Sequence, residues 1–165
     1  MLSLSHIPIS IAISMPIAHA TGNLIPGPLI AVAIGAILPD IDEPNSIAGK
    51  KTKTFSNFLK ANSGHRGITH SLLALAIVAA LLYVAHRAVG VSFAWAAFLA
   101  LGYFLHLLED SFSKAGIAWL QPFSRHRFQS GFHLLSYKTG GKFEVILAFL
   151  ATIAIIIQFL IYFNP

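Results

Sequence analysis

The sequence predicts an all-α fold: an integral-membrane helical bundle with about five membrane helices, forming a single membrane-embedded domain over residues 1–165. Three observations carry that prediction. Hydrophobic residues make up 56% of the chain and charged residues only 10%, against roughly 25% charged in soluble domains. Residues 1–39 contain no Asp, Glu, Lys or Arg, and several later runs are nearly as apolar. A bilayer core asks for about 20 apolar residues per helix, and 165 residues suit about one domain of such helices.

The elements follow in chain order. The stretch "TGNLIPGP" at 21–28 is a glycine- and proline-rich breaker, so it divides the first apolar region into helices near 5–20 and 28–39. Both are short, and form either a full or a re-entrant hairpin whose outer ends return to one side. Residues 68–86 give a third helix, and 88–108, in which His106 is the sole ionisable side chain besides Tyr103, a fourth. After "TGG" at 139–141, residues 143–163 give the fifth. The "AHA" at 18–20 looks like a signal-peptide cleavage site, but no basic segment precedes it and Pro8 and Pro16 interrupt the apolar run, so the segment is expected to be kept.

Five alternating helices place residues 40–67 and 111–142 on one side with the N-terminus. Of the 11 Lys and Arg residues, Arg87 alone falls on the other side. The excess of positive charge marks the first side as cytoplasmic. The expected location is the plasma (inner) membrane, with the N-terminus and any site cytoplasmic and the C-terminus, Pro165, outside.

The acidic residues are few and grouped. Of six, five lie in "LPDIDEP" at 38–44 and "HLLED" at 106–110, the sixth being Glu144. Both groups sit at predicted helix C-termini, where the macrodipole disfavours negative charge, so a cation is called for. His106 and Asp110 are four apart and share a helix face. Asp40 and Asp42 lie between Pro39 and Pro44, which predicts an extended turn with both carboxylates inward. His65 and His70 straddle the start of the third helix, and His6 opens the first helix on the same side. His19 and His86 fall at the opposite side, and His126 and His133 in a basic surface loop. With no cysteine in the chain, a metal must be held by imidazole and carboxylate, the donor set of zinc, manganese or iron sites. The candidate ligands are His6, Asp40, Asp42, His65, His70, His106 and Asp110.

"LPDIDEPNS" at 38–46, "GHRGITHSLL" at 64–73 and "GYFLHLLEDSFSKAGIAWLQPF" at 102–123 resemble the three motifs of the YdjM-type family of membrane-bound, LexA-regulated, predicted metal-dependent hydrolases. "SHIPISIA" at 5–12 is similar to a weaker N-terminal Thr-His element of that family, with Ser5 in place of threonine. Glu109 and Ser113 depart from its pattern, standing where a small or apolar residue and a threonine are common. A distant relationship of the family to zinc-dependent phospholipase C and P1-type nucleases implies phosphoester hydrolysis by a multi-zinc site.

Seven ligands suit two divalent ions, or three with bridging carboxylates, since a catalytic zinc usually takes three protein ligands and one water. Two ions stabilise both the attacking and the leaving oxygen of a phosphoryl displacement. Arg66 would hold a phosphate or developing oxyanion, its alternative role being an ion pair with Asp42 or Glu43. Glu109 or Glu43 would be the general base. Thr69 and Ser71 are expected to cap the third helix or orient a ligand. The expected partners are membrane lipids and a small-molecule or lipid phosphoester. Ten cations on one side attract anionic headgroups, and nucleic acid ranks below lipid because no basic motif interleaved with aromatics is present. The alternative reading is a cation-binding transporter or ion-handling membrane protein, and it is disfavoured because the fourth helix carries no acid toward the far side.

Overall fold

The computed structural model describes residues 1–63, 66–132 and 136–163. Among the described residues all elements are helical: α1 (Ser3–Ala20), α2 (Pro26–Gly35), α3 (Ile47–Lys51), α4 (Lys53–Ser63), α5 (Leu72–Val89), α6 (Phe93–Ser111) and α7 (Lys142–Phe163), with 3-10 turns at Pro39–Asp42 and Ile68–His70. The five apolar helices expected from the sequence are therefore present. Three, α5, α6 and α7, are long and apolar enough to cross a membrane, and α1 is a shorter apolar helix. α2 has 10 residues, about 15 Å, half of a hydrocarbon core of about 30 Å.

α6 is the central helix. Of its apolar window 56% is buried, against none for α5 and 6% for α7, so the outer helices present apolar side chains outward. That is the arrangement lipid, and not water, would stabilise. α6 packs on α2 through glycine. A Cβ at Gly102 would lie 2.2 Å from the Val32 carbonyl oxygen, and one at Gly35 would lie 2.1 Å from that of Leu99. Only residues without a side chain let these backbones approach so closely. Ala18, Ala31, Val32, Phe98 and Leu99 form the apolar core at the far end, and Tyr103, Leu107 and Ile117 a second one nearer the loops.

Two proline residues lie inside α1, Pro8 and Pro16. Pro16 has no N–H to give the Ala12 carbonyl, and Gln158 of α7 supplies the missing donor, Nε2 to O at 3.2 Å. α1 and α7 start at the same end, where the buried carboxylate of Glu144 accepts from the backbone N–H of Leu2 at 2.6 Å and of Gly140 at 2.8 Å.

The structure corrects three local expectations. Asp40 and Asp42 occupy a 3-10 turn and not an extended one. Pro39 at its first position has a φ suited to helical backbone, and the constraint from Pro44 falls on Glu43, which is extended at φ −110° and ψ 108°. The third predicted helix begins at Leu72 instead of residue 68, because Ser71 is its cap, accepting from the Ala74 N–H at 3.2 Å. Residues 47–63 form α3 and α4, where a loop was expected. Phe55, Phe58 and Leu59 give α4 an apolar stripe at helical spacing, opposite Lys53 and Lys60.

Candidate metal centre

Three elements converge at the loop end of the bundle. The turn after α2 brings Asp40, the turn before α5 brings His70, and α6 brings His106 and Asp110, one helical turn apart. One donor atom from each lies within 4.8 Å of all the others, and all four residues are buried. Nε2 of His70 is 3.1 Å from Nε2 of His106 and 3.7 Å from Asp40 Oδ1. His106 Nε2 is 3.6 Å from Asp40 Oδ1 and 3.7 Å from Asp110 Oδ2, and His70 Nε2 is 3.5 Å from the latter. Donors bound at about 2.0–2.2 Å in a tetrahedron lie about 3.3–3.6 Å apart. Five of the six edges match that figure to a few tenths of an ångström, and the sixth, between Asp40 and Asp110, is within 4.8 Å.

Each imidazole is gripped from behind. His106 Nδ1 donates to the Ala36 carbonyl oxygen at 2.6 Å, a contact made possible by the close approach of α2 and α6. His70 Nδ1 is 3.0 Å from Thr69 Oγ1, which donates to Asp42 Oδ2 at 2.8 Å, and Asp42 also accepts from the Gly67 N–H. Tyr103 on α6 donates to the Thr69 carbonyl oxygen and pins this turn. His6 Nδ1 donates to Glu109 Oε2 at 2.7 Å, and Ser10 donates to Glu109 Oε1 at 2.8 Å. Fixing one ring nitrogen by an acceptor leaves the other free to present a lone pair, as metal-bound histidines require. The His6 ring stacks on His106 with centroids 3.8 Å apart. Its Nε2 makes no hydrogen bond among the described residues and lies 3.5 Å from Asp110 Oδ1.

Arg66, buried and at φ 57°, pairs with Asp110 and not with Asp42 or Glu43. Its Nε is 2.7 Å from Oδ2, out of hydrogen-bond alignment, while one NH2 donates to Oδ1 at 2.8 Å and the other to Ser113 Oγ at 2.5 Å. The Met1 amino group contacts the same carboxylate, and the Tyr137 hydroxyl lies 3.3 Å from it. Burial opposes ionisation of Asp40, yet the charge of His106 and the bond from His70 outweigh it and hold the carboxyl well below its usual range. Burial likewise disfavours a charged His70, but Asp110, Asp40 and Asp42 outweigh it and raise its proton affinity well above the ordinary imidazole value.

Of the seven candidate ligands, the structure unites Asp40, His70, His106 and Asp110 and sets His6 directly against them. Asp42 stands behind His70, because residues two apart on a 3-10 turn point about 120° apart. His65 lies outside the described residues, as does His133. Glu43 is at the rim, paired with Lys60 at 2.7 Å. His19 stacks on Tyr162 and His86 bonds to the Val91 carbonyl at the far end, and His126 is exposed. Sequence reasoning did not find Ser10, the Ala36 carbonyl, Tyr103 or Tyr137. Ser10 stands four after His6, a spacing that signals a shared face. A carbonyl carries no sequence signal.

A family model described as "YdjM inner membrane protein" matches residues 1–164. The chain belongs to the YdjM family. The inner membrane protein YdjM of Escherichia coli (strain K12) is 37% identical over 99 residues, 56% of this chain and 47% of that protein, and its Shigella flexneri counterpart matches equally. YvsG of Bacillus subtilis (strain 168), an uncharacterized protein by name, is 32% identical over 92 residues, 54% of each chain. The chain thus spans about half the length of the curated relatives it matches. No solved structure gives a significant match. Family and helices together make this a membrane protein of the YdjM family, carrying a buried group of two histidines and two aspartates that could hold a metal ion.

Proposed function

We propose that the chain is a metal-dependent hydrolase of the inner membrane, acting on a phosphoester at the cytoplasmic face. The observation that carries the reading is the set of four buried donors at tetrahedral edge spacing, with both imidazoles oriented from behind. Asp40, His70, His106 and Asp110 would hold a divalent ion, and zinc suits the donors. His6, whose Nε2 is 3.5 Å from Asp110 Oδ1, would serve a second ion. When bound, the ions would supply Lewis acidity and, at a position the protein leaves open, an acidified water.

The remaining roles belong to the chain itself. Glu109 has both oxygens committed, to His6 and Ser10, and is a positioning residue. Glu43 lines a cavity of about 680 Å³ together with Asp40, and in this reading takes the proton from the attacking water after releasing Lys60 and Asn45, which hold its two oxygens. Arg66 holds Asp110 and sets a guanidinium beside the centre, where it meets the negative charge of a phosphoester. Transport is disfavoured by the apolar core of Ala18, Ala31, Val32, Phe98 and Leu99, which leaves no polar path among these residues toward the far side.

The orientation rests on the placement of Lys and Arg. A reporter fused after Pro165 should read as outside, and a cytoplasmic signal would reverse it. For the activity, purified full chain in mild detergent should bind transition metal and cleave a chromogenic phosphodiester, with both properties lost in His70→Ala and His106→Ala. Less than one equivalent of metal after loading, with helix content intact, would remove the basis of the reading.

A further inference from the structure

Two cavities lie beside the centre, one lined by its ligand Asp40 and the other by Glu109 and Tyr137, which hold groups next to it. The larger, about 680 Å³, holds Asp40 and Glu43 in its wall beside Lys50, Lys51 and Thr139. The second, about 470 Å³, is walled by Ile9 of α1, Phe143 and Leu147 of α7, and Phe112, Tyr137 and Glu109. Met1 borders both. Both volumes fall in the range of about 300–1,000 Å³ typical of small-molecule sites.

The second cavity is apolar, and its location decides what fills it. Val145, Ile146 and Phe149 on the outside of α7 are all more than half exposed, and α7 is long and apolar enough to cross the membrane. A cleft between α1 and α7 in such a bundle opens on hydrocarbon instead of water. Its inner wall is the machinery of the centre. Glu109 grips His6, and the Tyr137 hydroxyl donates to the Glu109 carbonyl oxygen at 2.9 Å and lies beside Asp110. The larger cavity offers two ammonium groups at its rim, suited to an anion. An apolar slot and a cationic mouth on either side of one centre fit a ligand that is itself amphiphilic.

We infer that the slot between α1 and α7 takes an acyl chain of an anionic phospholipid directly from the bilayer, while Lys50 and Lys51 receive its phosphate headgroup. This deepens the hydrolase reading by naming the substrate class, and rests on it for the reaction alone. Moving a chain from lipid to slot gains little hydrophobic energy, since both are apolar. The headgroup therefore supplies selectivity, and the slot fixes which bond lies at the centre.

The test uses the metal-free full chain in phosphatidylcholine vesicles doped with phosphatidylglycerol bearing a photoactivatable diazirine on one acyl chain. Labelled residues are mapped by mass spectrometry. Phe112, half-buried in the slot wall, should be labelled in addition to the outward Ile146 and Phe149. Leu147→Trp, which fills the slot, should abolish labelling of Phe112, and Ile9→Trp should do the same from the other wall. Leu150→Trp on the outward face should leave it unchanged. Lys50→Gln with Lys51→Gln should reduce labelling of Phe112 by the anionic probe and not by a phosphatidylcholine probe. Labelling confined to Ile146, Phe149 and their outward neighbours would overturn the inference. Labelled Phe112 in a chain that, once loaded with metal, hydrolyses neither phospholipid nor soluble phosphodiester would sink the hydrolase reading and keep the slot. Hydrolysis of the soluble phosphodiester by the metal-loaded chain with Phe112 unlabelled would do the reverse.

Discussion

Replacing Gly102 by alanine should cost the protein its metal centre before it costs the fold. The added Cβ would stand 2.2 Å from the Val32 carbonyl oxygen, and contacts under 3.0 Å are essentially never seen. α2 and α6 must therefore separate by about 0.8 Å at this level, roughly four times the tolerance of about 0.2 Å on metal–ligand distances. One turn along α6, His106 depends on the same approach, since its Nδ1 donates to the carbonyl oxygen of Ala36, the residue that ends α2, at 2.6 Å. Adding the separation brings that bond to about 3.4 Å, beyond good hydrogen-bond length. Loss of such a supporting contact typically lowers metal affinity about 10–100-fold, or about 1.4–2.7 kcal/mol. Overpacking itself costs about 1–3 kcal/mol, which a bundle of five packed helices should survive. Chelator competition measures the affinity, and circular dichroism in the same detergent reports the helices. Wild-type affinity in Gly102→Ala, with wild-type helix content, would refute the claim that the glycine contact sets the position of His106.

Alanine at Asp40, His70, His106 or Asp110 should each remove bound metal, while His19→Ala and His86→Ala should leave the content unchanged, as read by elemental mass spectrometry. Metal affinity should rise with pH, because the ion must displace a proton from His70, whose proton affinity is raised by Asp110, Asp40 and Asp42. The slope of log affinity should persist above pH 6.5, the ordinary imidazole value, and a curve already flat there would contradict the ligand role of His70. Gln158→Leu should destabilise the packing of α1 on α7 by about 1–3 kcal/mol, because the Ala12 carbonyl loses its donor. Unfolding in a graded detergent mixture measures it.

The membrane helices were legible because long apolar runs admit few alternatives. Their ends were not. The run through residue 39 reads as one helix, yet α2 stops at Gly35 and the chain turns to deliver Asp40. α4 was passed over because a charge-rich stretch between spans reads as a loop, although Phe55, Phe58 and Leu59 carry the helical period. In the site, His106 and Asp110 were legible from helical spacing alone. The division of labour between Asp40 and Asp42 was not, since it depends on the turn being 3-10 instead of extended. The partner of Arg66 was misjudged for a different reason. Asp110 is 44 residues away in sequence, and only the packing of the turn before α5 on α6 brings the two together.

A balance of charge links the centre to its membrane setting. Asp40, Asp42, Glu109 and Asp110 are all buried, and among the described buried side chains Arg66 is the one guanidinium or ammonium group set against them. The Met1 amino group adds a second cation at Asp110. An excess of closely grouped buried carboxylates is among the costlier features a fold can carry. The histidines can take up protons, and His70 does so readily. A divalent ion relieves the same excess while satisfying several donors at once, and it leaves the imidazoles neutral, with their Nδ1 bonds to Glu109, Ala36 and Thr69 intact. Those outer bonds are the discriminating feature. A cluster built only to store protons has no need to hold each ring from behind in one orientation, whereas a metal shell does.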